Sequence, residues 1–268
     1  MKKLILASAV VAAVAAPAAA LAQQAPTAPA SPHTFSYNLG FFSNYIFRGV
    51  SQTGGKPALQ GGFDYGHESG FYAGTWASNV SWLQDFGQYT RSSLEWDFYG
   101  GYKWAFANDF GLDVGSIYYW FPGSKNGVNN PTGQSADTWE IYVAGTWKFL
   151  GAKFSYSLQD YFGFRPTGQK TDGTWYLDLF GNYAFGDSGW SLNAHYGITD
   201  VAKDGSGASE ASYDDWRIGG AYTVQSGPVK GLELGVYYSD TNASAFYVTP
   251  GGYNTGKGVL VGYVKKTF

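Results

Sequence analysis

Hydrophobic and polar side chains alternate along much of the chain, and the stretch LEWDFYGGYKWAF (94–106) shows the pattern clearly. Apolar residues such as Trp104 occupy one set of alternate positions. The other set holds Glu95, Asp97 and Lys103. Successive side chains of a β-strand point to opposite faces. The stretch therefore predicts a strand with one face in an apolar environment and the other face in water.

Twelve segments of this kind recur along the chain. They begin near Phe35, Ala58, Phe71, Arg91, Asp109, Ala136, Ala152, Thr174, Gly189, Ser212, Gly231 and Gly258. Their lengths are near or above the roughly 9–11 residues that a tilted strand needs to cross a bilayer. The pattern favours membrane-spanning strands.

The connections between these segments alternate in length. Short ones such as 107–109 and 186–188 alternate with long polar ones such as 122–135 and 240–257. This alternation is typical of outer-membrane barrels, which have short periplasmic turns and long extracellular loops. A sheet in hydrocarbon must also close on itself, because an open edge leaves unpaired backbone groups. The sequence therefore predicts an all-β fold, a transmembrane antiparallel up-and-down β-barrel of about 12 strands.

The composition agrees with this fold class. Aromatic residues make up 19% of the 268 residues and charged residues only 14%, whereas about a quarter of the residues in a soluble domain are charged. Mean hydropathy is nevertheless slightly negative. A barrel in a membrane explains both values, because only every second residue of a strand must be apolar. The chain has no Cys, which excludes disulfides and thiolate chemistry.

Residues 1–22 have the pattern of a signal peptide. Two lysines precede an Ala-rich apolar run, and Ala20-Leu21-Ala22 predicts cleavage after Ala22. A membrane anchor helix is the alternative, which the Ala-rich composition and Pro17 disfavour. Residues 23–34 are predicted to form a flexible leader, and 35–268 the barrel. Without the two lysines the formal net charge falls from −3 to −5, which disfavours nucleic acid as a partner.

The start of the predicted barrel carries a set of short motifs. They are Ser43-Asn44-Tyr45, Phe47-Arg48-Gly49, Gln52, Pro57, Gln60-Gly61-Gly62, Gly70-Phe71-Tyr72, Gly74-Thr75-Trp76 and Asn79-Val80. In this block the chain resembles the TorF family of putative porins, exported proteins of Gram-negative bacteria. The resemblance implies a barrel in the outer membrane and a pore function. It implies no solute and no catalytic residue.

Arg48 is the charged residue of this block that invites a functional hypothesis. It is predicted at the end of the first strand, entering the first outer loop. One interpretation is that it reaches into the pore mouth and pairs with a carboxylate such as Asp64 or Glu95. The alternative is that it is solvated at the rim.

Catalytic chemistry finds little support in the sequence. His195 shares a strand face with Ser191 and Asn193, which supplies the residue types of a hydrolase. Residues two apart on one face lie about 7 Å apart, however, which is too far for a hydrogen-bonded triad. A polar patch in the lumen is the simpler explanation, and it also accounts for Glu95 and Asp97 without a glycosidase mechanism. No motif for a metal or a cofactor is present, so none is predicted.

Alternation predicts which charged residues point into the lumen. The candidate pore-lining residues are Arg48, Asp64, Glu95, Asp97, Lys103, Asp113, Glu140, Lys148, Lys153, Asp178, His195, Asp215, Arg217 and Glu233. Carboxylates outnumber the basic groups among them. Because excess carboxylate attracts cations and repels anions, the sequence predicts a modest cation preference.

Two functions from different classes follow from this lumen. The first is a narrow, mildly acidic channel for passive diffusion of small polar solutes or ions. A barrel of this size lies between filled and open barrels, and Tyr99, Tyr119, Phe121, Tyr142, Tyr176 and Phe180 are predicted to point inward and narrow it. The long third and sixth outer loops are the predicted constrictions. The second function is a non-conducting adhesin, receptor or structural barrel, and a hydrolase using His195 is a remote third.

The C-terminal residue predicts how the barrel reaches its membrane. Phe268 is an aromatic residue at the end of the last strand, a feature typical of substrates of the barrel assembly machinery. If Phe268 faces lipid, Leu260, Gly262, Val264 and Lys266 do so as well, with the Lys266 ammonium extended to the interface. No strand has a less apolar outer face, so the predicted partners are outer-membrane lipid, the assembly machinery and small solutes, with no second subunit.

Overall fold

The computed structural model of the protein describes residues 31–124, 134–165, 170–202, 211–243 and 245–268. The predicted signal peptide (1–22) lies outside the described residues, as does most of the predicted leader. Strand β1 begins at His33, earlier than the Phe35 that alternation predicts.

Twelve strands form one closed antiparallel barrel, which confirms the predicted fold class. They are β1 (His33–Phe42), β4 (Ala58–His67), β5 (Phe71–Asn79), β6 (Leu94–Ala105), β7 (Phe110–Trp120), β8 (Thr138–Trp147), β9 (Leu150–Ser157), β10 (Trp175–Ala184), β11 (Trp190–Asp200), β12 (Tyr213–Thr223), β13 (Leu232–Thr241) and β14 (Val259–Thr267). Each barrel strand pairs with the barrel strands that precede and follow it in sequence. Strand β1 closes the barrel by pairing with β14, with Phe41 opposite Val264. A separate two-stranded sheet, β2 (Ile46–Phe47) and β3 (Val50–Ser51), lies in the first outer loop.

Helices in the described residues are short. They are α1 (Trp82–Asp85) and the 3₁₀ turns Ala107–Asp109, Tyr161–Gly163, Gly186–Ser188 and Ala245–Tyr247. Within the described parts of the chain, no helix is long and apolar enough to cross a membrane.

The outer surface of the barrel is apolar along its strands. On β1 the side chain of Phe35 is 66% exposed, and Leu260 of β14 is exposed to the same extent. Exposed Trp side chains occur near strand ends, among them Trp104 and Trp190. A contiguous apolar surface of this size is unfavourable in water and favourable in hydrocarbon, and aromatic residues near the strand ends suit the interfaces.

The facing of β14 follows the conditional prediction. Phe268 and Leu260 are exposed on the outside, whereas Val261 and Lys265 are buried inside. The Phe268 ring stacks on Tyr37 with centroids 4.9 Å apart, and the Lys266 Nζ lies 5.1 Å from the Phe268 ring centroid. The aromatic C-terminus is therefore part of the outer surface where the barrel closes.

Candidate functional site in the barrel interior

The first outer loop folds into the barrel rather than away from it. Strands β2 and β3 pair within this loop, and a two-residue turn of Arg48 and Gly49 joins them. We call residues 46–51 the inner hairpin. Arg48 has φ 47° and Gly49 has φ 74°, as a type I′ hairpin turn requires. Arg48 is an unusual residue for this conformation, because a side chain with a Cβ is disfavoured at positive φ.

Arg48 forms a bidentate ion pair with Glu140 of β8. Its two terminal nitrogens donate to the Glu140 oxygens at 3.0 and 2.7 Å. The side chains are 5% and 2% exposed. The guanidinium also donates to the Tyr161 hydroxyl at 3.3 Å and lies 4.4 Å from the Tyr176 ring centroid. Two parallel charge-assisted bonds fix orientation as well as distance, so this pair anchors the inner hairpin to the barrel wall.

Arg48 lies inside the barrel at the long-loop end, and its partner differs from the two predicted from sequence. Neither Asp64 nor Glu95 pairs with it. Asp64 accepts a hydrogen bond from Tyr99 at 2.6 Å, and Glu95 accepts one from Tyr45 at 3.0 Å. The alternative of a solvated rim is also wrong, because Arg48 is buried.

The tip of the inner hairpin touches a different part of the wall. A Cβ on Gly49 would contact Thr241 of β13 and lie 2.5 Å from the Asp215 Cβ of β12. Just behind the tip, the Ser51 amide donates to the Thr255 carbonyl in the sixth outer loop at 2.8 Å. The hairpin therefore crosses the interior and contacts both the β8 side and the β12–β13 side. The first loop, which was not among the predicted constrictions, enters the barrel, and the sixth loop supports it. Most of the third loop lies outside the described residues, so its predicted constriction stays a prediction.

Aromatic side chains fill the space around the inner hairpin. Phe47 packs against Tyr119 and Phe162 with both centroid distances at 5.7 Å, and Tyr45 packs edge-on against Trp76. Burial raises the pKa of the Tyr45 phenol, and the neighbouring Glu95 carboxylate raises it further. Tyr45 is therefore a neutral hydrogen-bond donor to Glu95.

Strand register places a second group of charges in one continuous row. Following paired residues from β6 to β12 gives Lys103, Asp113, Ala144, Lys153, Asp178, Gly197 and Asp215. We call these seven residues the charged row. Because barrel strands are tilted, the row climbs from the short-turn end at Lys103 to the long-loop end at Asp215. Asp215 is also the residue beneath the hairpin tip, so the row reaches the inner hairpin.

Opposite charges in the row are neighbours, and tyrosines lie between them. Lys103 Nζ is 4.2 Å from the Tyr72 ring centroid, and Lys153 Nζ is 3.9 Å from that of Tyr142. The Tyr72 hydroxyl donates to Asp113 at 2.7 Å and contacts the Tyr142 hydroxyl. Each ammonium thus lies against an aromatic face, a contact that stabilises a buried cation. Each of the two lysines also has an aspartate as its register partner on a neighbouring strand.

A third group of charges lies near the short-turn end. Glu233 and Lys265 are directly opposite each other on β13 and β14. Glu233 accepts a hydrogen bond from Tyr263 at 2.8 Å, and the Arg217 guanidinium lies 5.0 Å from the Tyr237 ring centroid. Lys265 was missed in the sequence analysis. If Phe268 points outward, alternation along β14 places Lys265 on the inward face, so the sequence does contain the signal for this residue.

The structure places most of the predicted residues in the barrel interior. These are Arg48, Asp64, Glu95, Asp97, Lys103, Asp113, Glu140, Lys153, Asp178, His195, Asp215, Arg217 and Glu233. Lys148 is the exception and needs correction. It is exposed, lies in the turn after β8, has φ 54°, and its Nζ is 4.9 Å from the Trp147 ring centroid. The strand ends before Lys148, so alternation no longer applies to it.

His195 contacts two aspartates of the charged row rather than forming a triad. Its Nδ1 is 3.2 Å from an oxygen of Asp178 and its Nε2 is 3.5 Å from an oxygen of Asp215. Both ring nitrogens thus face carboxylates, which leaves neither to activate Ser191. In the described chain, no cluster of three or more His, Cys, Asp or Glu side chains has the geometry of a metal site.

Comparison with known proteins gives a family for the chain. The model of a bacterial family of unknown function, Gcw_chp, matches residues 26–268. The chain belongs to the Gcw_chp family. No curated protein matches the sequence of this Gcw_chp protein. The family match carries a different description from the TorF name, so the TorF resemblance stays a prediction.

Solved structures similar to this Gcw_chp protein are described as porins and outer-membrane proteins. A structure titled KdgM porin has 9% identity and a TM-score of 0.49, with 87% of this chain and 97% of that chain covered. OprD of Pseudomonas aeruginosa has 15% identity and a TM-score of 0.40, with 87% of this chain and 66% of that chain covered. At such scores the likeness carries no functional argument, and the barrel rests on its own strand pairing.

Proposed function

We propose that this protein is a narrow channel of the bacterial outer membrane that passes small polar solutes or ions by diffusion. One observation carries the proposal. Among the described residues, the buried Asp97 Oδ1, Arg217 Nε and Glu233 Oε2 atoms have no protein hydrogen-bond partner. All three residues face the interior. Because buried polar atoms are almost always hydrogen-bonded, these atoms require water or solute inside the barrel.

The interior charges set the expected ion preference. Among the described residues, eight carboxylates face inward, namely Asp64, Glu95, Asp97, Asp113, Glu140, Asp178, Asp215 and Glu233. Against them stand the five basic residues Arg48, Lys103, Lys153, Arg217 and Lys265. Replacing Lys148 with Lys265 in the count leaves the acidic excess in place. A modest preference for cations follows.

The test is single-channel recording of the protein from residue 23 onward, refolded and inserted in a planar bilayer with a salt gradient. Small stable conductance steps with a cation-selective reversal potential are expected. Cell fractionation would test the outer membrane as the location, and removal of Phe268 would test its use by the assembly machinery. A correctly folded barrel with no conductance, in the presence or absence of the inner hairpin, would contradict the channel.

A non-conducting barrel is the second candidate, and one observation favours it. The inner hairpin and its aromatic neighbours leave Tyr45, Tyr119 and Phe121 only 2–5% exposed at the long-loop end. Such a barrel would present its outer loops as a receptor, adhesin or structural surface. Conductance that is absent in the wild type and appears when the hairpin is released would mean that the loop closes a channel. Absence of conductance both in the wild type and in the protein with a released hairpin would favour the non-conducting barrel.

The hydrolase is the weakest candidate, because His195 faces two carboxylates. His195→Ala is expected to leave lipase and esterase activity of the refolded protein at the background level of the wild type. A monomer is expected as well, and light scattering of the protein in detergent would check it.

A further inference from the structure

A cavity of about 120 Å³ lies at the long-loop end, beside the inner hairpin. Its walls include Phe47 of the hairpin, Trp82 and Gln88 of the second outer loop, Phe162 of the fourth, and Tyr213 at the start of β12. The residues of the charged row lie outside this cavity. It is therefore a distinct space at the mouth of the barrel, and aromatic rings supply most of its lining.

The size of the cavity matches one ring. An engineered protein cavity of about 150 Å³ lined by apolar side chains binds benzene. A disaccharide or a peptide would not fit in the volume here. The part of a ligand that the cavity encloses is therefore near the size of a single six-membered ring.

The shape of the aromatic lining favours a flat ring. Trp82 meets Phe121 at 85° and Phe162 at 87°, with centroids 5.6 and 6.4 Å apart. Aromatic rings prefer such edge-to-face contacts, and an aromatic ligand in the cavity can form edge-to-face contacts with the same side chains. A pyranose would bury several hydroxyl groups against a lining with few polar side chains. Unpaired hydroxyl groups are costly, so a sugar is disfavoured.

One polar group of the lining lacks a partner. The indole N–H of Trp82 is buried and has no acceptor among the described residues. The amide nitrogen of Gln52, another lining residue, already donates to the Val50 carbonyl at 2.9 Å. A buried N–H requires an acceptor. A ring that carries one oxygen acceptor would satisfy it.

The lining also limits the charge of the ligand. Its residues include no Lys or Arg, and its one ionisable carboxyl group, Glu95, already accepts a hydrogen bond from Tyr45. An anion would therefore enter a desolvated space without a counter-charge, which is strongly unfavourable. This disfavours aromatic acids whose ionised carboxylate would be held inside the cavity.

From size, shape and chemistry we propose that this cavity binds a neutral single-ring aromatic solute whose one oxygen accepts a hydrogen bond from the Trp82 indole, and the phenols belong to this class. The O–H group of a phenol can itself donate to the Glu95 carboxyl group in the same lining. The binding itself does not depend on conduction. That such a solute then passes through the barrel rests on the proposed channel function.

The test is a titration of 4-fluorophenol followed by ¹⁹F NMR, with the protein from residue 23 onward refolded in detergent micelles. A saturable shift beyond that of empty micelles is expected. Phenol should displace the probe. Benzoate and cyclohexanol should each require a concentration at least about tenfold higher for the same displacement, because benzoate buries a charge and cyclohexanol loses the aromatic contacts. Benzoate that competes as well as phenol would overturn the proposed ligand class.

Two pairs of variants locate the binding. Trp82→Phe removes the N–H and should weaken binding up to about tenfold, the value of one net hydrogen bond. Trp104→Phe, the same change on the outer face, should leave it unchanged. Gln88→Phe should abolish binding by filling the cavity, whereas Gln84→Phe, on a residue outside the lining, should not. Equal binding by all four folded variants would overturn the site.

Failure of this proposal is separable from failure of the channel. The titration needs no membrane potential and no ion flow, so a barrel that never conducts can still bind phenol. In a bilayer recording, addition of phenol on the long-loop side should reduce conductance in the wild type and not in Gln88→Phe. A conducting barrel with no saturable binding would retain the channel and overturn the aromatic site.

Discussion

The anchor of the inner hairpin and the charged row both place opposite charges inside the barrel, and they do so in different ways. Arg48 has a single carboxylate partner, Glu140, which is 92 positions away in sequence. Lys153, in the row, pairs in register with Asp178 on one side and is separated from Asp113 only by Ala144 on the other. One arrangement is a direct bidentate ion pair, and the other is a set of charges spaced along neighbouring strands, with no direct lysine–aspartate ion pair among the described residues. Loss of one charge should therefore matter far more at the hairpin.

The largest effect is expected from Arg48→Ala. Removal of one partner leaves Glu140 buried and uncompensated, which costs about 3–5 kcal/mol. The free energy of unfolding in urea should fall accordingly, and conductance should rise because the hairpin loses its anchor. Single-channel recording and urea titration of the barrel in lipid vesicles measure the two effects.

Arg165→Ala is the matched control for this substitution. Arg165 pairs with Asp160 in the fourth outer loop, but its side chain is 32% exposed. A pair that remains partly in water contributes less than about 1 kcal/mol. Equal losses of stability in the two variants, or an unchanged conductance in Arg48→Ala, would show that the Arg48 pair does not hold the hairpin in the interior.

A smaller effect is expected from Gly49→Val at the hairpin tip. A side chain there strains the left-handed backbone by about 1–2 kcal/mol and also collides with Asp215 and Thr241. The tip can no longer reach the β12–β13 wall, so conductance should increase even with Arg48 intact.

Gly252→Val separates strain from contact. Gly252 has φ 82°, and a Cβ there would meet no atom within 4 Å. The control therefore carries the backbone cost without the collision and should leave conductance at the wild-type level. If both glycine variants conduct alike, the tip contact with the wall is not what narrows the barrel.

The charged row should respond through selectivity more than through stability. Asp113→Asn combined with Asp178→Asn removes two of the eight inward carboxylates, so the reversal potential in a salt gradient should move toward zero. Lys153→Gln removes a base from the same row and should move the potential the opposite way. Shifts of the same sign in both variants would be inconsistent with an electrostatic origin.

The smallest effect is expected from Lys148→Gln. Its side chain lies in the turn after β8 and is exposed, so the reversal potential should not change. Lys265→Gln removes a base from inside the barrel at the short-turn end and should increase the cation preference. A larger shift from Lys148→Gln than from Lys265→Gln would contradict the placement of these two lysines.

Prediction from sequence succeeded wherever a local period decided the outcome. Strand β6 was predicted to begin near Arg91 and begins at Leu94, and Asp97 and Asp113 point inward as alternation requires. It failed where the period stops. Lys148 lies one residue beyond β8 in a left-handed turn, and periodicity alone does not mark that end. The aromatic cavity was not predicted at all, because most of its walls come from loops that lack any period.

The sequence by itself determined the barrel, because two-residue alternation, loop lengths and the need to pair every backbone group in hydrocarbon act locally and leave one architecture. Only the tertiary structure decided which loop enters the barrel and which carboxylate it meets. From the sequence alone, several inward carboxylates are possible partners of Arg48. The choice of Glu140 depends on how far the inner hairpin crosses the interior, and that distance is set by packing among Phe47, Tyr119 and Phe162, which are far apart in sequence.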